Sequence, residues 1–221
     1  MNLHTYLVAV IAVACMSALP SAAQFSAGCA GYAQSLTLSG DYPDGQAIRA
    51  QIGYGVGAAV AYRLLDDVEV TFEPSLDLRH GRSTETISTS ASPSYDSTVA
   101  TIRVRSMSIP LGVRIWSQAH TWVFTSGIAA RIASSGMRTD GDGTEWSFTD
   151  ALSQLEVGVY LGVGYRITIG NVRVLPELRY EQGISNVLRG APVVGLPPAP
   201  ILRTNGFSLR VACQYELGGG Q

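Results

Sequence analysis

The residues able to carry chemistry in this chain are few and scattered. There are three histidines, His4, His80 and His120, and only His80 has a hydroxyl and a carboxylate close by, at Ser83 and Glu85. Those side-chain types could serve as base, nucleophile and orienting acid in a lipid hydrolase or acyltransferase at the rim of a membrane protein. A triad needs its base held between two partners, which three residues of one short stretch do poorly. No catalytic residue is therefore assigned, and the chain reads as a non-enzyme. His80 and His120 fall at opposite ends of the elements described below, so they cannot share a metal. All 15 basic residues are arginine, which removes lysine Schiff-base and P-loop chemistry. No Gly-x-Gly-x-x-Gly run opens a helix, and neither a cofactor nor a metal is expected. With Lys+Arg 15 against Asp+Glu 17, a nucleic-acid partner is also not expected.

The charged residues form the larger constellation, and their spacing is regular. In Leu155 to Ile169, the odd positions are Leu155, Val157, Val159, Leu161, Val163, Tyr165, Ile167 and Ile169. The even positions are Glu156, Gly158, Tyr160, Gly162, Gly164, Arg166 and Thr168. Successive side chains of a strand point to opposite faces, so one face is hydrocarbon and the other small, aromatic or charged. The same alternation runs through Ile52–Leu64, Val68–Leu78, Val172–Tyr180 and Phe207–Leu217. It is less clean in Trp122–Ile132, and in Ile102–Trp116 the phase slips, which predicts a β-bulge near Arg105-Ser106. Ser35–Gly40 reads as a weak first strand. The total is eight, an even number.

Short turns are predicted at 65–67, 117–120 and 170–171, and long connections at about 41–51, 81–99, 136–149 and 186–204. An up-and-down meander of eight strands closing on itself removes its own edges. The fold class expected is all-β, an eight-stranded antiparallel transmembrane barrel with a polar, side-chain-filled interior. The polar face then supplies the lumen: Glu69, Glu73, Asp77, Arg79, Arg114, Arg131, Glu156, Arg166, Arg173, Glu177, Arg179, Arg210 and Glu216. Arginine and carboxylate pair bidentately, glycine leaves them room, and an eight-strand interior is just filled by side chains. A lipocalin-like carrier would turn the greasy face inward and cover its outside with charge. The absence of lysine and the low charge, 14%, argue against that arrangement.

The first 23 residues read as a secretory signal: an apolar run from Leu7 to Leu19, then Pro20-Ser21-Ala22-Ala23. The run is too short to span a bilayer as a helix, and residues 24–221 form the barrel domain. An exported chain passes into an oxidising compartment. Cys29 precedes the first strand and Cys213 lies in the last, neighbours in a closed barrel, so a disulfide across the seam is expected. The alternative is a lipid-facing Cys213 acting as a small hydrophobe. The Ser/Thr-rich stretch in 81–99 and the apolar, Pro-rich stretch in 186–204 are where an unknown ligand or partner would bind. Lipid is the other partner expected, and the chain is expected to be a monomer.

Gly158-x-x-x-Gly162-x-Gly164-Tyr165, then Glu177-Leu178-Arg179-Tyr180-x-x-Gly183-Ile184-Ser185-Asn186, resembles the small bacterial outer-membrane barrel proteins, the PorT-like group among the OmpA/OmpX-type barrels. Ser108-Ile109-Pro110-Leu111 is similar to an Ile/Leu-Pro-Leu element of that group. The resemblance implies a Gram-negative outer membrane and insertion by the barrel assembly machinery. The chain departs from the group by running past Leu217 into Gly218-Gly219-Gly220-Gln221 instead of finishing on an aromatic residue.

Overall fold

A computed structural model describes residues 25–40, 46–89, 92–187 and 202–217; side chains are described for these except 38–40, 46–50, 83–89, 92–99 and 202. The signal segment expected over 1–23 lies outside the described residues.

The strands are β1 (Phe25–Gly40), β2 (Gln46–Ala50), β3 (Ile52–Leu65), β4 (Val68–Phe72), β5 (Ser75–Thr89), β6 (Ser92–Trp116), β7 (Trp122–Asp140), β8 (Glu145–Ser147), β9 (Glu156–Tyr165), β10 (Ile167–Ile169), β11 (Val172–Gly183) and β12 (Leu202–Leu217). They compose a ring of 8 staves. β2 continues into β3, β4 into β5 and β9 into β10, while β8 is a short addition to β7. β1 pairs with both β3 and β12, setting Cys29 between Ala58 and Cys213, and this closes the sheet. Closure gives the strand backbones partners on both sides, as a bilayer requires.

The alternation read from the sequence is the alternation of the wall. Ile52, Leu76, Leu111, Phe124, Leu161, Leu178 and Leu209 are exposed on the outside. Glu69, Asp77, Arg114, Arg131, Glu156, Glu177 and Arg210 are buried within. The greasy-lumen alternative is thereby excluded. Along β7 the apolar outer face runs from Trp122 to Ile132. That is about 34 Å of strand, or roughly 25 Å of height at the usual barrel tilt. Aromatic pairs bound this band: Trp122 with Tyr165 and Phe25 with Tyr62 at the short-turn end, Tyr180 with Phe207 nearer the other.

The turns end the strands for local reasons. Gly170 takes φ +59 between β10 and β11, and His120 takes φ 51 before β7. Pro74 has no N–H to give the ladder, and β4 and β5 are separate at Glu73-Pro74. The Pro74 carbonyl still accepts from Ala58 N–H at 2.9 Å.

Three sequence expectations need correction. β1 is a full strand from Phe25 onward rather than a weak one at Ser35; its Ala, Gly and Ser residues hide the alternation. Residues 41–51, 81–99 and 136–149 are not loops throughout: β2 pairs with β5, β5 and β6 pair as far as Thr89 and Ser92 in a tall hairpin, and β7 runs to Asp140 with β8 against it. The irregularity at Arg105-Ser106 exists, but the extra residue is Ser134 of β7, since Arg105 faces Ser135 and Ser106 faces Ala133. β6 thus keeps its phase, and Val104 stays inside with Ser106 and Ser108. There Val104 packs with Leu152, Val187 and Phe148 as an apolar plug at the long-loop end. The segment after β8 folds inward to build it, with Phe148 N–H on Gly136 O at 3.0 Å and Ser153 N–H on Val187 O at 2.7 Å. The Pro-rich segment 191–201 lies outside the described residues.

Candidate functional site

Among the described residues the lumen gathers most of the ionisable side chains, and it holds them in three tiers. At the short-turn end, Arg173 donates to Glu69 at 2.7 Å and to the Ser26 hydroxyl at 2.6 Å. Glu216 is only half-buried there, 3.3 Å from Arg173 and 3.6 Å from Arg63. In the middle tier Glu73 is shared by Arg114 at 2.5 Å, Arg179 at 2.7 Å and Arg210 at 2.9 Å. Glu177 receives Arg179 at 2.7 Å and lies 3.4 Å from Arg210. Toward the long-loop end Arg131 contacts Glu181, lies 3.6 Å from Asp77 and 3.7 Å from Glu156, and Arg79 donates to Glu156 at 2.8 Å.

Each tier draws on several staves, so the pairs tie opposite walls together. Arg114 of β6 also reaches Gln214 of β12 at 3.1 Å, and the Tyr32 hydroxyl of β1 donates to Asp77 of β5. A desolvated guanidinium needs its carboxylates and neutral acceptors around it, and here it has both. The middle tier fills the cross-section: Arg114 and Gln214 are 0% exposed and Glu177 1%. The cavity beside them, among Tyr32, Glu73, Arg131, Tyr160 and Arg179, has about 40 Å³, room for water but not for a solute.

Of the lumen residues expected from sequence, all but Arg166 and Glu216 lie in the buried network. Those two stand at its mouth, because Arg166 falls in the break between β9 and β10 and Glu216 is one residue from the end of β12. Arg166 covers the Trp116 ring at 5.2 Å. Tyr160 and Glu181 fall on the polar faces read from the sequence but outside the charge set assigned to the lumen, and Tyr32 and Trp116 are not singled out there at all. Each sits on the inward parity of its strand, and that parity was the signal available. Tyr160 carries Arg179 over its ring at 4.7 Å, while Trp116 carries Arg173 at 5.8 Å.

Cys29 and Cys213 are direct register partners and both are free thiols on the outer wall, so the expected seam disulfide is not formed here. His80 projects outward, its Nδ1 3.1 Å from the Ile52 carbonyl and its ring edge-on to Tyr54. The backbone of Ser83 lies three positions further along the same strand, about 10 Å from His80. The side chains of Ser83 and Glu85 are outside those described. Among the described residues no cluster of three metal-ligating side chains occurs.

No family model matches the chain, and no curated protein matches it. Solved structures resemble it at low identity. Neisserial surface protein A is 15% identical, with a TM-score of 0.47 over 90% of this chain and 100% of that one. The Ail attachment invasion locus protein of Yersinia pestis is 11% identical, with a TM-score of 0.45 over 88% and 99%. The outer membrane protein AlkL in lipid bilayers is 13% identical, with a TM-score of 0.48 over 92% and 94%. What the chain is similar to, then, is a set of small barrels described as outer-membrane or surface proteins.

Proposed function

We propose that the chain is an integral β-barrel of a bacterial outer membrane, monomeric and non-enzymatic, acting in envelope structure or surface contact through its long-loop end. The observation that carries this reading is the pairing of an unbroken apolar outer band with an ion-paired, filled lumen. In water that arrangement would leave Leu76, Leu161 and Ile169 facing solvent across a continuous apolar band. In a bilayer both faces are satisfied. The blocked middle tier supports a plug rather than a conduit, so any ligand binds at the loop end. The signal segment read from residues 1–23 supports export, after which the barrel assembly machinery would insert the chain.

The test is fractionation followed by gel migration with and without boiling. A folded membrane barrel should be found in the outer-membrane fraction and shift in mobility on heating. A polypeptide that stays dissolved and compact in buffer without amphiphile would overturn the reading. In planar bilayers the protein should conduct no ions.

A further inference from the structure

Among the described residues the outer wall is uncharged through the apolar band, and at the long-loop end exposed arginines cluster on β5 and β6, with Arg203 standing apart on β12. The rows of outward residues follow from the register. Leu76 of β5 sits beside Met107 of β6 and Ile132 of β7 beyond it, all apolar. The next row holds Tyr54, Leu78, Arg105 and Ser135. The row after that holds His80, Arg103 and Met137, and Arg82 follows opposite Thr101. Arg82, Arg103 and Arg105 are exposed, and Arg49 is the register partner of Arg82. Arginines therefore begin one row beyond the last hydrocarbon row, at the level of an interfacial tyrosine.

These side chains border a hollow of about 620 Å³ whose floor includes Tyr54, Leu78 and Met137 and whose polar wall includes His80, Arg103 and Arg105. Among the described residues, Glu145 is the one carboxylate at its edge. No carboxylate among the described residues forms an ion pair with Arg103 or Arg105, whereas Arg138 on the adjoining strand is taken by Asp140 at 2.7 Å. On the β9 and β11 side, the corresponding ends are Leu155 and Ile184, both uncharged. Arg203, exposed at the same end of β12, does not border this hollow, where Arg103 and Arg105 stand together.

Resting on the membrane reading above, we propose that this patch is a binding site for a phosphate-bearing lipid headgroup of the outer leaflet. The acyl chains would lie against Leu76, Leu78 and Met107, and the phosphate would meet the guanidinium forks of Arg103 and Arg105. Guanidinium pairs bidentately with phosphate, and basic residues at a membrane surface strengthen contact with anionic lipid. Hydrocarbon floor and cationic wall together select a lipid over a free anion.

The experiment uses the mature protein in phosphatidylcholine nanodiscs containing a minor fraction of phosphatidic acid, with retained lipid counted by native mass spectrometry. Phosphatidic acid should be enriched roughly tenfold over its share of the bilayer. Arg103→Gln with Arg105→Gln should return the ratio to that of the bilayer, and Arg138→Gln should not. Arg105→Gln alone, expected to lose part of the enrichment, serves if the double variant does not fold. Equal retention by wild type and the double variant overturns the site. Inorganic phosphate binding without lipid enrichment overturns the lipid as its source. Heat-modifiable migration is read on the same samples. A barrel that inserts but shows no enrichment sinks this site alone, whereas failure to insert sinks the membrane reading as well.

Discussion

Arg114 donates to Glu73 across 2.5 Å in the centre of the barrel, and both are shut off from solvent. The relation is unequal. Arg114 can also turn to Gln214 and Glu69, while Glu73 is the shared acceptor for Arg114, Arg179 and Arg210. Removing the carboxylate therefore strands more buried charge than removing the arginine.

Glu73→Ala should destabilise the barrel by about 3–5 kcal/mol, the range for breaking a buried ionic network. Arg114→Met should cost less, and Glu73→Gln combined with Arg114→Met less than Glu73→Ala. Urea unfolding in detergent micelles, followed by tryptophan fluorescence, measures all three. Equal losses for Glu73→Ala and Arg114→Met would contradict the shared-acceptor arrangement.

The inward glycines act by leaving space. A Cβ at Gly112 would overlap the Tyr160 hydroxyl and come within 2.7 Å of the Ser126 carbonyl. Gly112→Ala should cost about 1–3 kcal/mol, as overpacking does. Gly31, on the outer face, has its nearest such neighbour at 3.9 Å, so Gly31→Ala should be nearly neutral in the same unfolding assay.

Val211 is exposed in the apolar band, midway along β12 between Phe207 and Tyr215. Val211→Arg should cost roughly 2–4 kcal/mol of folding into phosphatidylcholine vesicles, the penalty for a cation near the midplane. Asn171→Arg, in a turn beyond the band, should fold as wild type. Similar yields for the two variants would mean that the outer face does not meet hydrocarbon.

Because Cys29 and Cys213 face each other across the β1–β12 seam, mild oxidation with diamide should join them within one chain. Intact mass should fall by two hydrogens, with no dimer on a non-reducing gel. A one-residue slip of the seam would separate the thiols, so a failure to cross-link would place the closing register elsewhere.

Much of the barrel was legible along the chain because strand alternation is local. Leu155 to Ile169 states its two faces without any partner, and the short turns at Asp66-Asp67 and Gly170-Asn171 mark one end of the ring. β1 was hard to read because Ala, Gly and Ser contribute little contrast between lumen and lipid. The phase slip at Arg105-Ser106 marks the height of the bulge but not its strand, since a slip in register belongs to a pair of strands and only the pairing shows which one carries the extra residue.

Local alternation is enough to make strands form, to give each of them two faces, and to set arginine and carboxylate on the same one. Which charges meet is a property of the closed ring. Arg131 of β7 finds Asp77 of β5, Glu156 of β9 and Glu181 of β11 because ring closure and strand stagger bring those staves to one level. Alternation depends on neighbours two positions apart, whereas the height at which two walls face each other depends on every register around the ring.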